Sequence, residues 1–331
     1  MKSEVPGNAR SVRSEWAEWD LTSESWKLPT RTTAEEFRSD GKLLFSEMRF
    51  PNGSLCRSTY SYDESGLLIE CQLQSGDGPA GRTIFFYDDR GRLVRQVGRA
   101  PDGSERVAEE HAYAAGGEHT KIVHIPAMEG VKDVYYAVEG VDYSFSAPGT
   151  TTVTTAFDSD GRVSEALLKD VSGVVVRRAV LTRDESGRLV KDEVLLGTEP
   201  FMPDVPEFGP GTVFTANEYT YDDVGRRVGV VRRIFGLSEQ RETIRFDDRN
   251  NQTEITIEYN CREANLREGI VEYGPPTPLD RRQVRFEYKY DARGNWVERV
   301  TSQRYGENPD FTRCSIERRE IAYYDDSGVS D

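Results

Sequence analysis

No stretch of this chain approaches the ~18 consecutive apolar residues of a membrane-spanning helix, and the opening Met1-Lys2-Ser3-Glu4-Val5-Pro6-Gly7 lacks the apolar core of a secretory signal. The expectation is a cytoplasmic chain without a membrane span, or one exported by a signal-independent route. Cysteine is sparse. Cys56, Cys71, Cys261 and Cys314 stand apart with no Cys-x-x-Cys pair, which argues against a zinc ribbon or a small disulfide scaffold and suits a reducing compartment. Basic charge is short too: 43 Lys and Arg against 58 Asp and Glu leave a net charge of −15, so the chain lacks the footprint that phosphate backbones reward and no nucleic-acid partner is expected. Hydrophobic residues make up 36% and charged residues 31%, a balance that favours a thin body with much solvated surface. Catalytic signatures are also missing, with no His-Glu-x-x-His, Gly-x-Ser-x-Gly or Walker loop in the chain. Gly76-Asp77-Gly78-Pro79-Ala80-Gly81 matches a dinucleotide fingerprint only formally, because Pro79 interrupts it and a strand-like run follows. Asp158-Ser159-Asp160-Gly161 resembles the start of a calcium loop, but Arg162 and Lys169 fall where ligands are needed, so it reads as a turn.

What the chain does have is a repeat. Tyr62-Asp63-Glu64-Ser65-Gly66-Leu67-Leu68 recurs as Tyr87-Asp88-Asp89-Arg90-Gly91-Arg92-Leu93 and as Phe157-Asp158-Ser159-Asp160-Gly161-Arg162-Val163. It returns at Tyr221-Asp222-Asp223-Val224-Gly225, Tyr290-Asp291-Ala292-Arg293-Gly294 and Tyr324-Asp325-Asp326-Ser327-Gly328. Weaker copies centre on Gly41, Gly117, Asp184 with Gly187, and Asn250. The unit has the chemistry of a tight hairpin: Asp accepts from backbone N–H groups further on, two residues take helical angles, and Gly or Asn supplies the positive φ that closes a three-residue loop. That loop sets Tyr62 opposite Leu68, Tyr87 opposite Leu93 and Tyr290 opposite Trp296, while a four-residue loop would shift each by one. Many copies lie about 25 residues apart, the length of two strands and two turns. Gly91, Gly117 and Gly161 recur as Gly225, Asn250 and Gly294 about 133 residues on, which suggests an internal duplication.

Tyr-Asp-x-x-Gly-Arg-Leu at this spacing resembles the YD repeat of the Rhs family, bacterial polymorphic-toxin carriers similar to the C component of insecticidal Tc toxins and to the teneurin shell. The resemblance covers about residues 37–331. It implies an all-β chain of antiparallel hairpins forming a curved or spiral sheet, a partial shell. On this reading residues 1–36 are an N-terminal capping segment, with the stretch from Val12 to Trp26 covering the first sheet edge. Residues 37–196 form the first half of the repeat sheet, 197–211 a Pro- and Gly-rich linker or long loop, and 212–331 the second half.

The function expected is that of a non-catalytic scaffold offering an extended β surface to a protein partner, in a bacterial toxin or cell-surface setting as the resemblance implies. A carbohydrate-binding module or adhesin is the first alternative, because Tyr62, Tyr87, Tyr221, Tyr290 and Tyr324 would form an aromatic ladder if the hairpins stack. A hydrolase is the second. His111, His119 and His124 gather around one turn with Glu109 nearby and are where a metal would be sought, although the sequence assigns neither metal nor cofactor. Arg92, Arg162, Arg188 and Arg226 follow the turn glycines and are placed to pair with turn carboxylates such as Asp88.

Overall fold

The computed structural model describes residues 8–114, 119–125, 135–137, 144–146, 150–198, 209–267 and 270–324. These residues are built of strands and turns, because alternating polar and apolar residues broken by Asp, Asn and Gly favour extended chain over helix. No helix among them is long and apolar enough to cross a membrane, which says nothing of strands.

The chain divides into two compact units. The first comprises residues 1–106, 284–304 and 308–331. It holds β1 (Ala9–Asp20), β2 (Ser25–Trp26), β3 (Arg31–Phe37), β4 (Leu43–Arg49), β5 (Leu55–Tyr62), β6 (Leu68–Ser75), β7 (Gly81–Tyr87) and β8 (Leu93–Arg99). The second comprises residues 107–283 and 305–307. Most of β9 (Glu105–Tyr113) belongs to it, followed by β10 (His119–His124), β11 (Tyr135–Ala137), β12 (Ser144–Ser146), β13 (Thr152–Phe157), β14 (Val163–Lys169), β15 (Val175–Arg183) and β16 (Leu189–Leu196). Then come β17 (Val213–Tyr221), β18 (Arg227–Ile234), β19 (Ser238–Phe246), β20 (Gln252–Arg267) and β21 (Ile270–Pro276). The chain returns to the first unit through β22 (Asp280–Tyr290), β23 (Trp296–Tyr305) and β24 (Thr312–Tyr323).

Pairing is antiparallel throughout: β3 to β8 pair in succession and β23 pairs with β24 in the first unit, β9 pairs with β10 and β13 to β21 pair in succession in the second, β2 pairs with β1, and β11–β12 stand as a separate pair. The two longest hairpin connections do not interrupt it, since β10 pairs with β13 and β16 pairs with β17. Segment 197–211 therefore joins neighbouring strands, and its residues 199–208 lie outside the described residues. The open spiral sheet expected from the repeat does not form. β1 pairs with β3 along Ser11–Trp16 and, on its other side, with β24 along Ala9–Glu18. β1 is therefore paired on both sides within the first unit, beside the last strand of the chain on one side and β3 on the other. β1 is an interior strand rather than a cap on an edge, and its two-sided pairing satisfies the N–H and C=O groups that an open edge would leave unpaired.

Turn chemistry explains the register. In the first unit Gly66 N donates to the Asp63 carbonyl (3.0 Å) and Asp63 N to the Leu67 carbonyl (2.9 Å), a three-residue loop in which Gly66 has φ +84°. Tyr62 consequently stands opposite Leu68, and Tyr87 opposite Leu93, each beside a one-residue bulge. Asn250 fills the glycine position of its turn at φ +69°. The opposite ends of the hairpins reuse these bonds around Gly53, Gly103 and Gly173, so the repeat spacing halves into single strands.

The units differ in their interiors. In the second, Val153, Val163, Ala166, Leu168, Val176, Ala179, Leu181 and Val194 make one buried cluster on β13–β16. In the first, the apolar cluster is Ala9, Val12 and Phe37 with Leu43 and Ile321 packed on it.

Candidate functional site

The turn residues are consumed by their own turns. Asp88 accepts from Arg90 N, Arg92 N and Arg92 Nε (3.0, 2.9 and 2.8 Å). Asp184 and Asp222 repeat the pattern with Arg188 and Arg226, whereas Asp158 accepts from backbone alone while Arg162 turns to Asp160 (3.2 Å). Asp63 accepts from Ser65 Oγ and Leu67 N, and Asp291 from Asn295 N and the Tyr323 hydroxyl. The hydrogen bond from Arg92 holds the Asp88 carboxyl below its ordinary range, and that from Ser65 does the same for Asp63. Gly91, Gly161, Gly187, Gly225 and Gly294 all take positive φ. Asp325, Gly328 and Gly117 lie outside the described residues.

The repeat tyrosines are tied down in the same way. Tyr62, Tyr87 and Tyr221 each donate their hydroxyl to the first carbonyl of the neighbouring strand, at Leu43, Leu68 and Leu189 (2.8, 2.8 and 2.7 Å). Tyr324 donates to the Phe37 carbonyl (2.6 Å), linking the last turn to β3. Arginines cap two of the rings, Arg38 over Tyr62 and Arg188 over Tyr221. Tyr290 is half-buried, 6.1 Å from the ring of Tyr288. Burial raises the Tyr62 and Tyr87 hydroxyl pKa values, so these phenols stay neutral donors.

Two of the three histidines come together. His111 stands opposite Lys121 and His119 opposite Tyr113, which places Glu109, His111, Tyr113, His119 and Lys121 on one side of the β9–β10 hairpin. His111 Nδ1 shares a hydrogen bond with His119 Nε2 (2.8 Å), and its Nε2 meets Glu109 Oε1 (2.6 Å). Lys121 Nζ lies 3.4 Å from the same carboxylate, and His119 stacks on Phe157 with ring centroids 4.0 Å apart. His124 turns away to Glu110 (2.9 Å). Both ring nitrogens of His111 are therefore engaged by neighbouring side chains, and among the described residues no group of His, Cys, Asp or Glu is arranged to hold a metal ion.

Two clusters escaped the sequence reading. Asp192 on β16 is 1% exposed and accepts from Asn217 Nδ2 (2.8 Å) and the Tyr219 hydroxyl (2.6 Å), while Arg232 Nε donates to Asn217 Oδ1 (3.1 Å). Its signal is the stripe Asp192, Val194, Leu196, in which a carboxylate takes a core position. The second gathers around buried Trp296 in the first unit. Arg319 lies over its ring at 3.3 Å, and both Arg299 and Arg319 donate to Glu317 (2.7 and 3.4 Å). Glu35 is half-buried and burial raises its pKa, against the pull of Arg319.

The exposed face of the first unit is charged. Arg13 stands opposite Glu320 on β24 and Ala34 on β3, and Glu15 stands opposite Arg318. Arg318 pairs with Glu298 (3.2 Å), and Glu47 pairs with both Arg49 and Arg57 (3.0 and 2.8 Å). Three adjoining hollows of about 260, 290 and 270 Å³ share Arg13 in their lining. Each falls below the roughly 300–1,000 Å³ of small-molecule sites, so the area suits contact with another surface better than engulfment of a ligand.

No family model and no curated protein matches the chain. Among solved structures it is similar to a porin-like protein from Bacteroides uniformis at 12% identity, covering 95% of this chain and 98% of that chain with a TM-score of 0.32. A likeness at that score assigns neither fold nor function.

Proposed function

We propose that the protein is a non-catalytic scaffold that binds a protein partner through the exposed, charge-patterned face around Arg13. The observation that carries this reading is a division of labour among polar groups. The groups with catalytic potential, Glu109 with His111 and His119, Asp192 with Tyr219, and Glu317 with two arginines, are bonded to one another, while Arg13, Glu15, Glu36 and Glu320 stand exposed around shared hollows. Mixed charge of this kind favours specificity and rapid encounter with a complementary polar surface. The two-sided pairing of β1 supports a side-chain contact at this face over strand addition, for which an edge is needed. Anchoring of the tyrosine hydroxyls and rings supports a structural role for the aromatic ladder over sugar stacking. Ion pairs on exposed strand faces, such as Arg233 with Glu218 and Arg318 with Glu298, favour water over lipid around them, since a membrane barrel needs an apolar outer band.

The test is capture of partners from source cells with the wild-type chain and with a Arg13→Glu/Arg318→Glu variant of unchanged melting temperature. The reading expects a stoichiometric protein that the wild type retains and the variant loses. A partner retained equally by both, or none at all, contradicts it.

A further inference from the structure

Among the described residues of the second unit, Arg177 is a buried cation with no carboxylate paired to it. Arg177 on β15 stands opposite Leu168 on β14 and Leu196 on β16, which are 0% and 2% exposed, and is itself 6% exposed. Its guanidinium carbon lies over the Phe214 ring, 5.3 Å from the centroid. Nη1 donates to the Val176 carbonyl (2.7 Å), which also accepts from Gly197 N (3.1 Å). Nε has no hydrogen-bond partner and is shut off from solvent. Among the described residues no carboxylate forms an ion pair with it, whereas its neighbour Arg178 turns outward to Glu165. Burial alone lowers its pKa, with no acid nearby to offset the effect.

A guanidinium remains protonated even in such a place, so an uncompensated charge sits in the apolar cluster. Half-buried Arg232 and Arg319 have side-chain partners, and half-buried Arg183, whose Nε is also unpartnered, spends both Nη groups on the Gly187 and Val163 carbonyls (3.4 Å each). The hydrogen bond from Nη1 leaves the Nε–Nη2 edge of the fork, which presents two parallel N–H groups and matches the two oxygens of a carboxylate or phosphoryl group. Apolar walls from Leu168, Leu196 and Phe214 strengthen such a pairing by excluding water.

We propose that Arg177 anchors a small-oxyanion site, taking a carboxylate or phosphate group on its Nε–Nη2 edge. This site is separate from the partner-binding face and does not depend on it. Thermal unfolding and calorimetric titration of the full chain with sodium acetate, sodium phosphate and sodium chloride at matched ionic strength test it and distinguish the two oxyanion classes. Acetate or phosphate is expected to raise the wild-type melting temperature by about 3 °C near saturation while chloride leaves it unchanged. Arg177→Met is expected to unfold no lower than the wild type in chloride and to lose the oxyanion shift. Arg177→Lys keeps the charge without the fork and is expected to bind at least about tenfold more weakly. Should the Met variant not fold, the Lys titration decides. A wild type indifferent to both oxyanions, or an oxyanion shift equal in wild type and the Lys variant, overturns the proposal.

Discussion

The two units use the same turn and fill their interiors differently. Gly91 in the first and Gly161 in the second close equivalent loops, with the same Asp-centred hydrogen bonds and nearly equal φ of +72° and +73°. Yet β13–β16 bury a continuous apolar stripe, whereas strands β4–β8 of the first unit leave nearly every side chain partly exposed and rely on rings, arginines and ion pairs. The turn therefore specifies which strands pair and in what register, and the residues alternating along each strand decide how much stability that pairing yields.

Core truncation should separate the units most. Leu168→Ala is expected to cost about 2–5 kcal/mol, while Met48→Ala at its half-buried position in β4 is expected to cost about 1 kcal/mol, both read by urea unfolding. Equal losses would erase the distinction. Asp192→Ala comes next at about 3 kcal/mol, because Asn217 and Tyr219 would keep buried donors without an acceptor; Asp192→Asn, which retains one oxygen, should cost less. Gly91→Ala and Gly161→Ala are expected to cost the same in either unit, about 1 kcal/mol, since no atom comes closer than 3.7 Å to the added methyl in either turn and the left-handed backbone is the whole penalty.

The smallest effect is on acid stability. Hydrogen bonds hold Asp63, Asp88 and Asp184 below the ordinary aspartate range, so their contribution is complete above the unfolded value near ~4 and is withdrawn as pH falls through the lower folded values. Asp88→Asn with Asp184→Asn should flatten the loss of melting temperature below pH 4. An unchanged acid profile would remove these turns as the cause.

The hairpins were legible because their cause is local. Asp one residue and Gly four residues after the ring write the loop into seven consecutive residues, and even Asn250 in place of glycine announces its positive φ. The pairing of β1 with β24 was not legible, because the contact of Val12 with Ile321 joins strands some 300 residues apart and leaves no motif in either. The repeat pointed instead to an open sheet with β1 as its cap. Asp192 hid for another reason: flanked by Lys191 and Glu193 it reads as part of a solvated charge run, and only the register with Asn217 shows it facing the core. The histidines were found as a group, but alternation splits them, so His111 and His119 share a side while His124 joins Glu110. The half-spaced turns at Gly53, Gly103 and Gly173 were missed because they lack the aromatic residue that marks the others.

The two-sided pairing of β1 is most directly tested by residue-resolved amide hydrogen exchange along that strand. Paired with β3 and β24 at once, every amide from Ser11 to Trp16 is expected to be protected to a similar degree. A pattern in which every second amide of this stretch exchanges at the rate of free chain would place β1 at an open edge and contradict the account.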